Sequence, residues 1–387
     1  MDDRDAQVGW TEAQWNRVRE EVLRAWQRVR VAGSFLPVYG PLPPSTQVVP
    51  SEIFRSDGTV DDQATAVLLE ISLPVKLTRQ EVREEDLSSA LLQFRRRAAQ
   101  VAQLEDWYIF NGTYPSGTLL AGTALASGQE PKVPSYRPDT IYLEELVRIR
   151  WPFLRGAPEP IADHTTQRRG LSLRNPGALG LIEGPKVARQ VQGGRAAQAV
   201  QDKVPLDNDG LMSAIVTAMN SLENYGYVAP YVCVFGRHPF NAAHQPIPNS
   251  TALPRDRLEP LIGRELLHAS AIDVVPQKFA GYSHPDDEEW RSRGVLLSVA
   301  GEGVDLAIAS EATPEFIQVD AQGRYVFSVF ERFTLRIKDA KAIAPLNFKK
   351  PSESALQSLK KEAVPAAKRL VRRVRRRLPP QAPGQGH

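Results

Sequence analysis

Apolar residues recur at three- and four-residue steps in two stretches of the chain. In 10–30, WTEAQWNRVREEVLRAWQRVR, the positions Trp15, Val18, Val22 and Trp26 share one face, which predicts an amphipathic helix. Thr11 stands where it would cap that helix, with Gln14 three residues on in the capping-box position. In 86–110, DLSSALLQFRRRAAQVAQLEDWYIF, the positions Leu87, Leu91, Phe94, Ala98 and Val101 make a second stripe flanked by Arg95–Arg97. Ser88 or Ser89 is expected to cap this helix and Asn111-Gly112 to end it. At 1.5 Å per residue it is a rod of roughly 30 Å.

Between these helices the period changes. LPVYGPLPPSTQVVP is too rich in proline for a regular helix and reads as an extended arm lying on other structure. Residues 47–77 alternate around Asp57-Gly58, which predicts two long strands in a protruding β-hairpin. Such a hairpin is marginal alone and is expected to rest on something else, such as another subunit. Residues 113–175 are rich in Gly, Pro, Ser and Thr, with one short helical signal at DTIYLEELVRIRWPF, and read as an insertion.

Residues 176–348 return to an α+β pattern. A helix capped near Asp207 or Asp209 precedes the buried strand YVCVF and a proline-punctuated loop, HPFNAAHQPIPNSTALPRDR. RLEPLIGREL is helical, GVLLSVAGEGVDLAIAS is two strands around a Gly-Glu-Gly turn, and YVFSVFERFTLRIK is a long alternating strand. In the tail, Leu356, Leu359, Ala363, Ala367, Leu370, Val374 and Leu378 keep helical spacing, interrupted by Pro365.

Composition adds boundaries. The 387 residues suffice for one large domain or two to three smaller ones, and 42% apolar with 24% charged residues is an ordinary globular profile. No run of 18 apolar residues exists, so a transmembrane helix is not expected. The acidic start, MDDRDAQVGWTEAQW, lacks the apolar core of a secretory signal, and a cytoplasmic location is expected. The single Cys233 can form neither an intrachain disulfide nor a cysteine metal cage. Charge is uneven. Lys349 to Leu378 carries eleven Lys/Arg against two Glu, a balance of +9; the whole chain is +3, so the rest sums to −6. The body has no charge support as a nucleic-acid binder.

Recognisable catalytic chemistry is missing from the sequence. There is no GxxxxGK[ST], no GxGxxG after a strand, no HExxH and no GxSxG. None of the six histidines stands at i,i+4 to another, and His238 and His244 share a loop without a nearby carboxylate. Glu183, Glu302 and Glu331 read as solvated turn and strand positions, and Cys233, between two valines, as an inert buried thiol. A non-enzymatic protein without cofactor or metal is expected.

The order of parts, however, resembles a known family. WTEAQWNRVREEV, the arm FLPVYGPLPP, the spine-helix limits DLSS (86–89) and LEDWYIFNG (104–112), GALGLIEG at 177–184, AIVTAMNSLENYGYVAPYVCVF, and the closing segment with Glu331 and Phe333 are together similar to encapsulins. These are nanocompartment shell proteins with the fold of tailed-phage major capsids. The resemblance covers about 1–112 and 176–348. It departs at 113–175, at Gly301-Glu302-Gly303-Val304, where the family has Gly-Gly-Asp-Phe, and at Ala309-Ser310-Glu311, where it has Gly-Gln-Asp.

The resemblance implies an α+β, tailed-phage major-capsid-like fold. Its parts would be an N-terminal helix and arm (1–46), an extended β-hairpin loop (47–78), a peripheral domain with the spine helix (79–112), the insertion (113–175), an axial α+β domain (176–315), a final strand returning to the peripheral domain (316–348) and the basic tail (349–387). It also implies self-assembly into an icosahedral shell that encloses a cargo enzyme, such as a peroxidase, ferritin-like or other redox protein. By position, Trp15, Val18, Val22 and Trp26, with Phe94, Ala98 and Val101, either line a groove for a cargo peptide or simply pack the first helix on the spine. His244, Asn249 and Ser250 either line a pore or form plain surface loop. A tail on the shell exterior would present cationic helices to an anionic partner, membrane lipid or nucleic acid. The rival readings are a phage or prophage major capsid protein, a tail-driven nucleic-acid or membrane binder, and the protease or bacteriocin labels this family has attracted.

Overall fold

The computed structural model describes residues 7–54, 58–62, 65–111, 180–182, 204–247, 252–273, 292–299 and 303–349. The insertion 113–175, Asp57, Gly112, Glu183, Asn249, Ser250, Gly301-Glu302 and the tail beyond Lys349 lie outside the described residues.

Helix α1 spans Glu12–Val29, and its first turn carries the capping box of the sequence reading: the Gln14 N–H donates to Thr11 Oγ1 and the Thr11 N–H to Gln14 Oε1. The arm follows as β1 (Val38–Tyr39). The expected hairpin forms, but as two short ladders. β2 (Val48–Pro50) pairs with β5 (Thr65–Val67), and β3 (Ile53–Phe54) with β4 (Val60–Asp61), around Gly58 at φ +82°. Its base rests on its own chain: Val49, Ala66 and Leu68 pack with Ala307 and Ala309. The long strand after it, β6 (Leu69–Leu77), leaves the hairpin for the main sheet.

After the short α2 (Arg79–Arg83), α3 runs Ser88–Asn111. Its cap is not Ser88 or Ser89. Glu84 and Asp86 accept the first-turn N–H groups of Ser89 and Ser88, at 3.0 and 3.2 Å. Acceptors at a helix start satisfy orphan donors whichever residue supplies them.

The second half supplies β7 (Val204–Pro205), α4 (Asn208–Asn224), capped by Asp207, β8 (Tyr231–Phe235), α5 (Arg237–Ala243), α6 (Pro254–Ile262) and β9 (Leu267–His268). It ends in β10 (Arg293–Ser298), β11 (Val304–Val319), β12 (Tyr325–Ile337) and β13 (Ile343–Lys349). Two main sheets result, in the orders β1-β11-β12-β6 and β7-β13-β10-β8-β9.

The two strands about the Gly-Glu-Gly turn therefore do not pair with each other. β10 is buried along nearly its whole length, as a strand covered on both faces must be, and sits inside the five-stranded sheet. β11 joins the other sheet and runs without a break through the boundary expected at 315/316. Helices α1 and α3 cover one face of the four-stranded sheet, and one continuous buried cluster joins them to Val232, Val234, Val295 and Leu297 of the other sheet. A second cluster lies under α4 and α6.

Candidate functional site

The seven residues expected on a peptide groove are brought together and closed off. Trp15, Val18, Val22, Trp26, Phe94, Ala98 and Val101 are all 2% exposed or less. Trp10 stacks on Phe327 of β12 (5.1 Å, 13°) and meets Trp15 edge-on at 5.0 Å, while Phe94 packs edge-on against Phe327 at 5.4 Å. This row glues α1 and α3 to the sheet, each large side chain contributing about 1.5–3 kcal/mol by leaving water. It presents no surface to an incoming peptide. The apolar stripe was legible; that the sheet covers it was not.

What remains outside is the opposite face of the same two helices. They run parallel: Gln14 bonds to the Glu85 carbonyl, Glu21 to Arg95 and Arg30 to Glu105. The outward rows carry Arg17, Arg24 and Arg28 on α1, and Leu92, Arg95 and Arg96 on α3. Leu92 is 67% exposed. Glu21 bridges the rows, bonded to Arg95 at 2.7 Å and to Arg24, and Arg95 holds its carboxyl below the usual carboxylate range.

A feature the sequence reading missed lies at the far end of the helix pair. Glu331, expected in solvent, is fully buried, because α1 and α3 lie over its face of β12. It accepts from Trp26 Nε1 at 3.0 Å. Glu105, also fully buried, accepts from Arg30 Nη2 at 2.6 Å, and Arg30 lies 3.9 Å over the Trp26 ring. Asp106 accepts the backbone N–H groups of Val31 and Ala32 at 2.8 Å each. Three carboxyls thus face one guanidinium. Burial pushes Glu105 up to about 8 and Asp106 up to about 6, Arg30 opposing in both cases, and burial beside Glu105 pushes Glu331 well up. The available signal was Glu105-Asp106 standing inside the apolar run 101–110.

The arm is held by a second polar group. Arg336 Nε and Nη2 each donate to Asp305 at 2.6 Å, and Lys338 Nζ lies 3.2 Å from the same carboxylate. The third nitrogen of Arg336 reaches the Pro50 carbonyl at 2.7 Å, and its guanidinium lies 3.6 Å over Tyr39. Arg332 donates to the Pro44 carbonyl.

Of the expected pore residues, His244 closes α5, its Nδ1 2.8 Å from the Phe240 carbonyl; Asn249 and Ser250 lie outside the described residues. Cys233 is buried in β8, and desolvation drives its thiol far up, so no thiolate is available. Among the described residues no cluster of three or more His, Cys, Asp or Glu could hold a metal ion, and no helix is long and apolar enough to cross a membrane.

No family model matches the sequence, and no curated protein matches it. Solved structures do. The virus-like particle of Pyrococcus furiosus is 12% identical at a TM-score of 0.50, over 87% of this chain and 100% of that chain. Mycobacterium phage Bobi (13% identical, TM-score 0.44, 83% and 91% covered) and the holo-SrpI encapsulin complex of Synechococcus elongatus (11%, 0.37, 81% and 85%) are also similar. The chain has an α+β, tailed-phage major-capsid-type fold, as the resemblance implied.

Proposed function

We propose that this chain is a shell subunit: many copies tile a closed, icosahedral nanocompartment, and an enclosed cargo enzyme performs the chemistry. The observation that carries this reading is the shared fold, which extends over the whole chain of a protein that forms a virus-like particle. A closed shell needs one surface to meet another around several axes. The arm and hairpin suit that need, since Val38, Val48 and Val60 on them are exposed apolar residues. A phage-type capsid is the alternative within the same fold.

Cargo docking, in this reading, uses the exposed rows of α1 and α3, not the buried stripe. Leu92 and the arginines beside it suit a short peptide with apolar and acidic residues. The tail, with its balance of +9, is assigned an anionic partner, lipid or nucleic acid. Electron microscopy of the protein expressed alone tests the central claim. Uniform hollow particles are the expected result; a monomer under every buffer tried, or turnover of a substrate by the empty protein, refutes it.

A further inference from the structure

The end of α1 is fixed to the body by a group of buried charges that do not balance. Arg30 is the cation of the group, its side chain 8% exposed. Around it stand Glu105 and Asp106 from α3 and Glu331 from β12, all 5% exposed or less. Trp26 and the backbone N–H groups of Val31 and Ala32 supply the neutral donors.

The inventory of bonds is incomplete in a specific way. Glu105 Oε2, Glu331 Oε1 and Arg30 Nε are buried and have no hydrogen-bond partner. Two carboxyl oxygens without donors are costly as carboxylates and need a proton between them. The group is also tightly built. A Cβ at Gly33 would stand 1.8 Å from the Arg30 Cζ, so the turn after α1 needs glycine while the guanidinium keeps its place.

We propose that Glu105 and Glu331 form a proton-dependent latch: protonated, the pair holds the last turn of α1 and the arm after it against α3 and β12, and deprotonated, it releases them. With both carboxyls ionised, three negative charges would meet one positive charge in a site closed to water. Burial is the main cost of that charge, more than Arg30 offsets, and moving the segment 26–36 away lets water solvate the ionised carboxyls. The arm begins there, so the latch sets how firmly the arm is anchored. This is a property of the single chain and does not depend on the shell reading.

The sign follows from the raised carboxyls. Both Asp106, near 6, and Glu105, near 8, bind protons more tightly folded than unfolded. Their contribution is complete below the ordinary carboxylate range and is lost as pH rises through 6 and then 8. One proton released on opening raises the local opening constant by up to about tenfold per pH unit across that window.

Hydrogen exchange of the purified full chain between pH 5 and 9, corrected for intrinsic rates, reads this directly. Protection of 26–36 should fall with pH while 12–20 changes less. Glu331→Gln should weaken the dependence, and Glu105→Gln with Glu331→Gln should abolish it above about pH 7, leaving only the part that Asp106 contributes near 6. Equal pH dependence in wild type and the double variant overturns the proposal, as does protection of 26–36 that is flat from pH 5 to 9. If the double variant does not fold, Glu331→Gln and the wild-type profile still decide. Magnesium or calcium that restores protection at pH 8 in wild type and not in Glu331→Gln would make the group a cation site and equally overturn it.

Discussion

Asp305 faces two cations, Arg336 and Lys338, in a place almost closed to solvent. The same Arg336 touches Tyr39 of the arm and the carbonyl of Pro50 at the hairpin base. One carboxylate therefore orients the side chain that ties down two extended segments with little core of their own. Asp305→Ala leaves two buried positive charges without their counter-ion. A loss of about 3–5 kcal/mol is expected, read as a lower midpoint in urea. A change under about 1 kcal/mol would mean that the arm is held by other contacts. Single residues of this kind were the least legible part of the chain. Glu331 shares the parity of Phe327, Val329, Phe333 and Leu335 in β12, so the alternation put it on the core face, and its charge alone argued for solvent.

Helices α1 and α3 were legible in period and in length, because the stripe Trp15, Val18, Val22, Trp26 and the stripe Leu87, Leu91, Phe94, Ala98, Val101 need no partner to be recognised. That the first stripe packs on the spine helix was one of the two readings the sequence offered; that the sheet closes over both stripes was not legible. The buried stripe stabilises, and the proposed cargo docking falls to the exposed rows. Leu92→Asp with Arg96→Glu changes only exposed side chains on α3 and spares the Glu21–Arg95 pair. These two substitutions should leave thermal stability within a few degrees of wild type while cargo that co-purifies with the shell falls by about tenfold or more, the loss of roughly 1.4 kcal/mol of binding. Unchanged cargo content would remove this face from consideration. The hairpin shows the opposite balance. Asp57-Gly58 placed its turn, yet its ladders are only two and three residues long, and its base is held by Ala307 and Ala309 of β11.

In the whole molecule, two sheets share one buried cluster, and β10 and β11, adjacent in sequence, belong to different sheets. The charge distribution bears on the proposed shell. The tail carries +9 against −6 for the rest, so a shell of many copies concentrates both signs. Removing 349–387 should abolish retention of the purified particles on anionic liposomes, and added salt should weaken retention of the full chain. Equal retention with and without the tail ends the proposal that it binds lipid, and retention on DNA alone turns it to nucleic acid.

Local chemistry was readable from residue order. Helix periods, the Thr11–Gln14 cap, the Asp207 cap and the alternation of β12 depend on neighbours a few positions apart. The order of those elements also carried the likeness to capsid-type shells, since architecture is set by a succession of long patterns. Folding alone settled which strands pair, that the sheet closes over the cargo-groove candidates, and that Glu105, Asp106 and Glu331 share one guanidinium. The bonds of that group join residues 75 and 305 positions apart, and no local pattern specifies which distant side chains will meet.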